Sequence, residues 1–423
     1  MGFQYSPNHR VTIYREANKF KREDISLDVT AISTQKRYGG PMGMFTVVTT
    51  FNRFKTLRYD QLLKPDDIIL IELDKGNGSG MQKKMLGLVS ASERVFTVNE
   101  DGNPSRSIHI SGSDFGKILT QHHCKQYTAP KADNIGSENT LTQVQYGASL
   151  IPGGTPAAII KTILNVELFK FLEWTAQYIL TDLVADTGPS PPWKLPNPTF
   201  SYQDTIWSIL HHFADEPYNK LHGDTGPDGK FHIVLEKCPF DNVTGKIERK
   251  NLHSITPSDI VSEQMGVNDH DRINYVWFMT QCGTYGEANG TPLLYIGGDA
   301  VQFDDPSIKR HGFRTWFPES NFVPFSGNLP TPPQLMDKGQ TADVRHPVKE
   351  RTLAFWNWYR RNHTYESGTM TIHGDPGIRA GDGVLRQDNG FEYFVEAVAE
   401  KYTIAQKVSY QATLHLTRGQ KHA

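Results

Sequence analysis

Apolar and polar residues alternate near the C-terminal end of the chain. The alternation is clearest in residues 366–374, where every second side chain is apolar or small, the period of a strand with one buried face. Turn sequences at 374–377 and 380–383 are rich in glycine and aspartate. Two further strand-like runs follow at 391–399 and 410–416. The pattern predicts four short strands with tight turns, forming a compact barrel or sandwich.

The N-terminal part of the chain shows the same type of pattern. Residues 44–51 are rich in strand formers, and residues 68–73 form a continuous apolar run typical of a buried strand. A strand, turn and second strand are predicted over 85–111, and a short capped helix over 112–119. We therefore predict a first β domain over residues 1–125.

The middle of the chain predicts a long helix. After a polar loop, Thr155 and Pro156 suit a helix start, and apolar residues then recur on more than one stripe from Ala157 to Val184. Charged residues interrupt this helix too often for a membrane span. Its apolar surface must be covered either by its own chain or by a neighbouring subunit. The proline-rich residues 186–198 form a linker, so residues 126–198 comprise loop, helix and linker.

Two further domains are predicted after the linker. A helix over 205–215 and a glycine-containing hairpin indicate a small α/β domain over 199–256. A second β domain follows over 257–423. It contains an insertion, 282–344, that is too long for an ordinary turn and is predicted to contact other chains, and a helix from Val348 to Arg361.

Composition narrows the possible functions. The chain has 44 Lys and Arg residues against 46 Asp and Glu residues, so no strong field attracts nucleic acid or an anionic membrane. Three widely spaced cysteines, Cys124, Cys238 and Cys282, predict neither a disulfide framework nor a zinc site. The polar N-terminus does not match a signal peptide, which indicates a soluble protein made in the cytoplasm.

Several short motifs suggest chemistry, but none has the spacing that the chemistry needs. Neighbouring residues rarely converge on one metal or face each other across a cleft, and the glycine-rich residues 75–80 lack the Lys-Ser/Thr of a phosphate loop. The candidates considered are His122-His123-Cys124, His211-His212, Asp215-Glu216 and Asp304-Asp305. The sequence therefore predicts no catalytic residue, no cofactor-binding residue and no metal ligand.

Three ordered patterns carry a family resemblance. The C-terminal segment reads His373-Gly374-Asp375-Pro376, then Tyr393-Phe394-Val395-Glu396, then Thr413-Leu414 and Leu416-Thr417-Arg418-Gly419. In this order it resembles the C-terminal part of baseplate hub proteins from contractile phage tails of the T4 type and from related injection systems. Segments 86–119 and 202–239 resemble the first tube domain and the small middle domain of such hubs.

The resemblance implies a fold and a function. The fold is α+β and mainly β: two tube-like β-barrel or sandwich domains, with a small α/β domain and one long helix between them. The function is a structural hub, a homotrimeric ring that joins the six-fold tail tube to the three-fold central spike around a lumen for DNA or tape-measure protein.

The same resemblance implies partners and a location. The partners are the spike, the tail tube or tube-terminating protein, the tape-measure protein and other baseplate proteins, without specific nucleic-acid sequence recognition. The location is the virion baseplate, after synthesis in the host cytoplasm. The alternatives are a tail-associated enzyme that degrades cell wall or capsule, and the hub of a non-contractile tail.

An internal duplication is also predicted. Residues 1–120 and residues 257–280 with 345–423 are expected to fold into two similar domains. Their equivalent turns are Pro65-Asp66-Asp67 and Ala380-Gly381-Asp382, each leading into a strand. Six near-equivalent domains from three chains suit a closed ring.

Overall fold

Strands dominate the computed structural model, which is α+β and mainly β as predicted. The structure describes residues 6–51, 53–54, 57–98, 104–123, 156–169, 172–183, 193–194, 204–248, 251–280, 300–320, 323–324, 338–404 and 407–422. Cys124, Cys282, the polar loop and most of the predicted linker lie outside these residues, as does much of the predicted insertion.

The first half of the chain contains nine strands and two short helices. The strands are β1 Asn8–Tyr14, β2 Arg22–Asp24, β3 Val29–Arg37, β4 Met44–Thr50, β5 Arg53–Phe54, β6 Leu57–Arg58, β7 Ile68–Asp74, β8 Gln82–Val98 and β9 Pro104–Asp114. The helices are α1 Tyr59–Leu62 and α2 Gly116–Gln121. Apolar side chains on alternate positions of β1, β3, β4 and β7 fill the core of this half.

A small α/β unit follows. Its elements are α3 Pro156–Ile163, a π-helix Leu164–Phe169, a 3-10 helix Glu173–Gln177, β10 Ile179–Leu183, β11 Trp193–Lys194, α4 Ile206–Phe213, β12 Asn219–Thr225 and β13 Phe231–Lys237. Strands β10, β13 and β12 form a three-stranded sheet. The apolar faces of α3 and α4 share one core with this sheet and with Leu86, Leu88 and Phe115 of the first half.

The second half contains six strands that belong to the large sheet. They are β14 Leu252–Ile255, β15 Ile260–Val267, β22 Glu366–His373, β23 Gly383–Arg386, β24 Phe391–Ile404 and β25 Val408–Lys421. Strand β14 pairs with β23.

An inserted region separates β15 from β22. Its elements are β16 Tyr275–Trp277, β17 Met279–Thr280, β18 Val301–Phe303, α5 Asp305–His311, β19 Thr315–Trp316, β20 Glu319–Ser320, β21 Val323–Pro324 and α6 Lys338–Tyr359. In the first half, the equivalent strands β3 and β4 are joined only by a short turn. Aromatic side chains of α6 pack against Val276, Phe278 and Trp316 of this region.

The prediction of one continuous helix from Ala157 to Val184 was wrong. The α-helix and π-helix extend to Phe169, a 3-10 helix covers Glu173–Gln177, and residues 179–183 form β10, which pairs in parallel with β13. The apolar pattern of this segment fits a buried strand as well as a helix. The open edge of β13 decides between them because it offers backbone hydrogen-bond partners that outweigh local helix propensity.

The long helix of the described residues is α6 instead, and it begins earlier than Val348. The predicted helix extended from Val348 to Arg361, directly after Pro347. The helix runs through this position from Lys338. Its buried residues include Val348, Phe355 and Trp358, so burial against the small α/β unit and the inserted region stabilises it.

Both halves contribute to one 13-stranded sheet with a repeated strand order. In the first half the order is β3-β4-β9-β8-β7-β1, and in the second it is β15-β22-β25-β24-β23-β14. The first five strands of each series are joined by antiparallel pairs throughout. The last pair differs, since β1–β7 is antiparallel and β14–β23 is parallel. The predicted duplication is confirmed in strand order, while the domain boundaries remain predictions.

The two predicted equivalent turns have the same hydrogen bonds. Val89 donates to the Asp67 carbonyl at 2.9 Å, and Val395 donates to the Asp382 carbonyl at 3.0 Å. The carboxylate of Asp67 accepts from the backbone N–H three residues earlier at 2.8 Å, and that of Asp382 does the same at 2.8 Å. Asp66 and Gly381 both have positive φ, at 69° and 98°. The duplication therefore extends to turn geometry.

A substitution at Val395 measures how much the core of the second half contributes to stability. Its side chain is fully buried among Ile372, Leu414 and Leu416. We expect Val395→Ala to cost about 2 kcal/mol of unfolding free energy, from about 0.8 kcal/mol per buried methyl group plus a cavity term. Urea denaturation measures the loss. Lys401→Ala, on an exposed position of the same strand, is the control, and an equal loss there would contradict the expectation.

Candidate functional site: two equivalent sheet edges

The two halves are joined by pairing between β3 and β24. Residues 31–37 of β3 lie antiparallel to residues 403–397 of β24, with Ala397 opposite Arg37 and Thr403 opposite Ala31. Tyr38 N–H donates to the Glu396 carbonyl at 2.8 Å, and the side chains of Arg37 and Glu396 form an ion pair. We call this pairing the internal seam.

Glu400 stabilises the internal seam through buried polar contacts. Its buried carboxylate accepts hydrogen bonds from Thr34 at 2.9 Å and from the Tyr410 hydroxyl at 2.6 Å, and Lys84 Nζ lies 3.2 Å away. Tyr402 and Tyr410 also pack into the core of the first half. The charge of Glu400 is therefore compensated, and the two halves share both a sheet and a core.

The duplication defines which segments are equivalent to the internal seam. Strand β24 has a bulge between Val395 and Ala397, and β8 has one between Val89 and Ala91. Residues 91–97 of β8 are therefore equivalent to residues 397–403. Strands β3 and β15 have matching bulges after their first residues, so residues 262–268 are equivalent to residues 31–37.

These two equivalent segments are free sheet edges within the described part of the chain. Strand β15 ends the sheet, with β22 as its one partner, and residues 91–97 of β8 pair with β9 alone. Phe96 is 60% exposed, and Val267 is 64% exposed. Unpaired backbone groups flanked by exposed apolar side chains favour pairing with another chain. We call residues 91–97 the β8 edge and residues 262–268 the β15 edge.

These edges were not predicted from the sequence, although one sequence signal indicates them. The equivalent turns at Asp67 and Asp382 were recognised from sequence, and each is hydrogen-bonded to the residue before a bulge. Aligning the halves on these turns identifies β8 with β24. What the sequence does not contain is the partner of β24, because pairing across 366 positions is a tertiary contact.

The histidines considered as metal ligands occupy structural positions. The His122 carbonyl accepts from Ile206 at 2.9 Å, and His123 forms a bridge with Thr205. His211 Nε2 lies 3.4 Å from Glu216, whereas burial lowers the pKa of His212. Among the described residues, no group of three potential ligand side chains is close enough to hold a metal ion.

The acidic pairs do not converge either. Asp215 forms a buried ion pair with Arg351 at 2.6 Å, and Glu216 pairs with Lys220 at 2.8 Å. Asp304 caps α5 by accepting from Ser307 N–H at 3.2 Å. Cys238 is a buried free thiol whose pKa is raised by burial to about 12, so it is not a reactive thiolate.

Solved structures of two tail proteins have a similar fold. The tail protein from Neisseria meningitidis MC58 matches at 14% identity with a TM-score of 0.53, covering 97% of this chain and 96% of that one. The 43 kDa tail protein of prophage MuSo2 from Shewanella oneidensis matches at 14% identity and a TM-score of 0.50, covering 98% of both chains. The chain has the fold of these two tail proteins. No family model matches it, and neither does any curated protein.

The tail-protein fold spans both halves and the small unit between them, since each comparison covers nearly the whole chain. Both similar proteins are tail proteins. Within the described residues, no helix has the length and apolar character needed to cross a bilayer.

His232 gives the small unit of this tail-protein fold a pH-dependent contact. Its Nδ1 lies 2.5 Å from Asp182 of β10, and its Nε2 lies 3.0 Å from Asp228. Burial by itself lowers the pKa of His232, but hydrogen bonds to the two carboxylates outweigh it and the pKa is raised. The stabilisation is therefore fully present below the unfolded-state pKa of about 6.5 and is lost as pH rises through the folded-state pKa.

We expect His232→Gln to lower the free energy of unfolding more at about pH 5.5 than at about pH 8.5, since only the protonated ring forms both ion pairs. Urea denaturation at the two pH values measures the difference. A loss that is equal at both pH values would show that His232 contributes packing rather than charge.

Proposed function

We propose that the protein is a structural hub of a phage-type tail, assembled as a trimeric ring and not acting as an enzyme. One observation carries the proposal: the chain contains two similar halves, one internal seam between them, and free edges equivalent to both sides of that seam. A repeated seam would join the β15 edge of one chain to the β8 edge of the next. Three chains then present six near-equivalent halves, and the sheet closes on itself.

The internal seam also supplies a register for the proposed contact. Lys401 lies opposite Ser33 in the internal seam. The equivalent residues are Val95 on the β8 edge and Gln264 on the β15 edge. Cross-strand pairing in the same register therefore places Val95 opposite Gln264 of the neighbouring chain, with their side chains on the same face of the sheet.

Ring closure explains why two halves are fused in one chain. A tail tube with six-fold symmetry is continued by six near-equivalent halves, while a three-fold spike meets three identical chains. The proposed partners are accordingly the tail tube or tube-terminating protein, the central spike, the tape-measure protein and other baseplate proteins. The proposed location is the tail baseplate of the virion, and both contractile and non-contractile tails are compatible with the geometry.

A cysteine pair tests the proposed assembly. We expect Val95→Cys with Gln264→Cys to give covalent dimers and trimers under oxidising conditions, resolved on non-reducing gels, because the two thiols lie opposite each other across the seam. The matched control is Val95→Cys with Met265→Cys, which places the thiols on opposite faces of the sheet.

Analytical ultracentrifugation of the unmodified chain, alone and with its spike protein, provides the independent measurement. A monomer under both conditions would contradict the trimer. Trimers that cross-link equally well with the control pair would retain the ring but contradict the register.

A further inference from the structure

A cavity of about 640 Å³ lies where the internal seam, the small α/β unit and the end of α6 meet. Its walls include the aromatic side chains of Tyr38, Phe240, Tyr359 and Phe394, together with Arg418. A second cavity of about 490 Å³ shares Asp271, Tyr359 and Asn362 with the first. The two cavities therefore adjoin along the inserted region, and neither is part of the two sheet edges described above.

Arg418 is the unusual residue of this cavity. Its side chain lies within the wall and only 6% of the residue is exposed, while its backbone has a φ of 58°, in the left-handed region. Nη1 donates to the Trp358 carbonyl at 2.6 Å, and the guanidinium lies 3.6 Å from the centre of the Phe240 ring. Nη2 has no hydrogen-bond partner among the described residues.

No negative charge in the described part of the chain compensates Arg418. No carboxylate there lies within ion-pair distance of it, and burial lowers the pKa of the guanidinium. The ionisable groups that act most strongly on Arg418 are Tyr359, whose hydroxyl accepts a hydrogen bond from it, and Cys238, and burial raises the pKa of each to about 12. Both are neutral at physiological pH, so a buried cation remains without a counter-ion, an arrangement that costs free energy unless an anion binds.

In the first half of the chain, the charged residue at the equivalent position is compensated by groups of the same chain. Phe394 and Leu88 are equivalent because they precede the equivalent residues Val395 and Val89. Thr417 lies opposite Phe394 and Ser113 lies opposite Leu88, so Thr417 and Ser113 are equivalent too. The next residues along these strands, Arg418 and Asp114, are therefore counterparts. Asp114 forms an ion pair with Lys36 and accepts from the backbone N–H groups of Gly43 at 2.7 Å and Gly116 at 3.0 Å. The second half has an unpaired cation beside a cavity instead.

Most of the charged side chains around the two cavities are positive, like Arg418. Together the linings contain five cations and two carboxylates; they are Arg37, Lys220, Arg272, Arg314 and Arg418 against Asp271 and Glu396. Arg37, Lys220 and Arg272 each have a carboxylate partner. Within the described residues, Arg314 has none, so a free cation lies in the second cavity and another in the first.

We propose that these adjoining cavities bind an acidic segment of another protein, with one carboxylate side chain paired with Arg418 and a further acidic residue near Arg314. A carboxylate in the first cavity supplies the negative charge that the buried Arg418 guanidinium lacks, and the aromatic walls pack against the segment that carries it. The volume exceeds that of a simple inorganic ion, which favours a peptide segment over a free anion. This inference does not depend on the ring, since the cavities lie within one chain.

Fluorescence anisotropy with a labelled glutamate-rich peptide tests the proposal on the full-length protein. We expect saturable binding at low salt, weakened about tenfold or more by Arg418→Met and by Arg314→Glu. The matched control is Arg310→Glu, which makes the same charge change at an exposed position outside both cavities. Arg314 is exposed as well, so the Arg314→Glu and Arg310→Glu pair decides the question even if Arg418→Met does not fold.

Three results would overturn the proposal. These are absence of saturable binding, equal weakening by Arg314→Glu and Arg310→Glu, and displacement of the peptide by acetate or inorganic phosphate at the peptide's own concentration. The third would show a site for small anions only. None of these results bears on ring assembly, which the cysteine pair tests separately.

Discussion

Arg351→Met should lower the free energy of unfolding by about 3–5 kcal/mol, because it leaves a buried carboxylate without its cation. Arg351 on α6 and Asp215 after α4 form an ion pair at 2.6 Å, and the side chains are only 4% and 3% exposed. The guanidinium also lies 4.5 Å from the centre of the Tyr218 ring. Methionine retains most of the side-chain volume, so the loss measures charge compensation rather than a cavity. Urea denaturation provides the measurement.

The matched control for this substitution removes both charges. Arg351→Met combined with Asp215→Asn should recover part of the loss, because a neutral amide is less costly to bury than an unpaired carboxylate. A double variant that is less stable than Arg351→Met alone would contradict this account. The pair connects the second half to the small α/β unit, so a large loss would also show that these two parts unfold cooperatively.

Placing two lysines across the proposed intermolecular seam should shift the equilibrium from trimer towards monomer. In the proposed register Val95 of one chain lies opposite Gln264 of the next, and both are at least partly exposed in the single chain. Val95→Lys with Gln264→Lys therefore opposes like charges at each of the three seams, at a cost of roughly 0.2–1 kcal/mol per pair plus the lost apolar contact. Analytical ultracentrifugation should detect a larger share of monomers than for the unmodified chain at the same protein concentration.

A variant with opposite charges at these two positions distinguishes repulsion across the seam from general destabilisation of the protein. Val95→Lys with Gln264→Glu carries two substitutions at the same positions but places opposite charges across the seam, so it should remain trimeric. Raising the salt concentration should partly restore the trimer of the two-lysine variant, because exposed charges are screened. If both variants assemble equally, residues 95 and 264 do not face each other and the proposed register is wrong.

The sequence alone determined the features that depend on local periodicity and turn chemistry. The alternation in residues 366–374 identified β22, and the Pro-Asp and Gly-Asp sequences identified the Asp67 and Asp382 turns as equivalent. These local signals, together with the resemblance to hub proteins, predicted the mainly β fold class and the duplication. Both properties are encoded in short segments, which is why they could be derived without contacts.

The tertiary structure decided what local patterns leave open. Residues 179–183 are compatible with helix and strand, and only the free edge of β13 selected the strand. Arg418 and Asp114 occupy equivalent positions, yet only the contacts around them show that one charge is paired and the other is not. The internal seam between β3 and β24 joins segments far apart in sequence, and strand pairing depends on which edges meet in space. The proposed assembly edges follow from that pairing, so they could be located only after the two halves had been seen side by side.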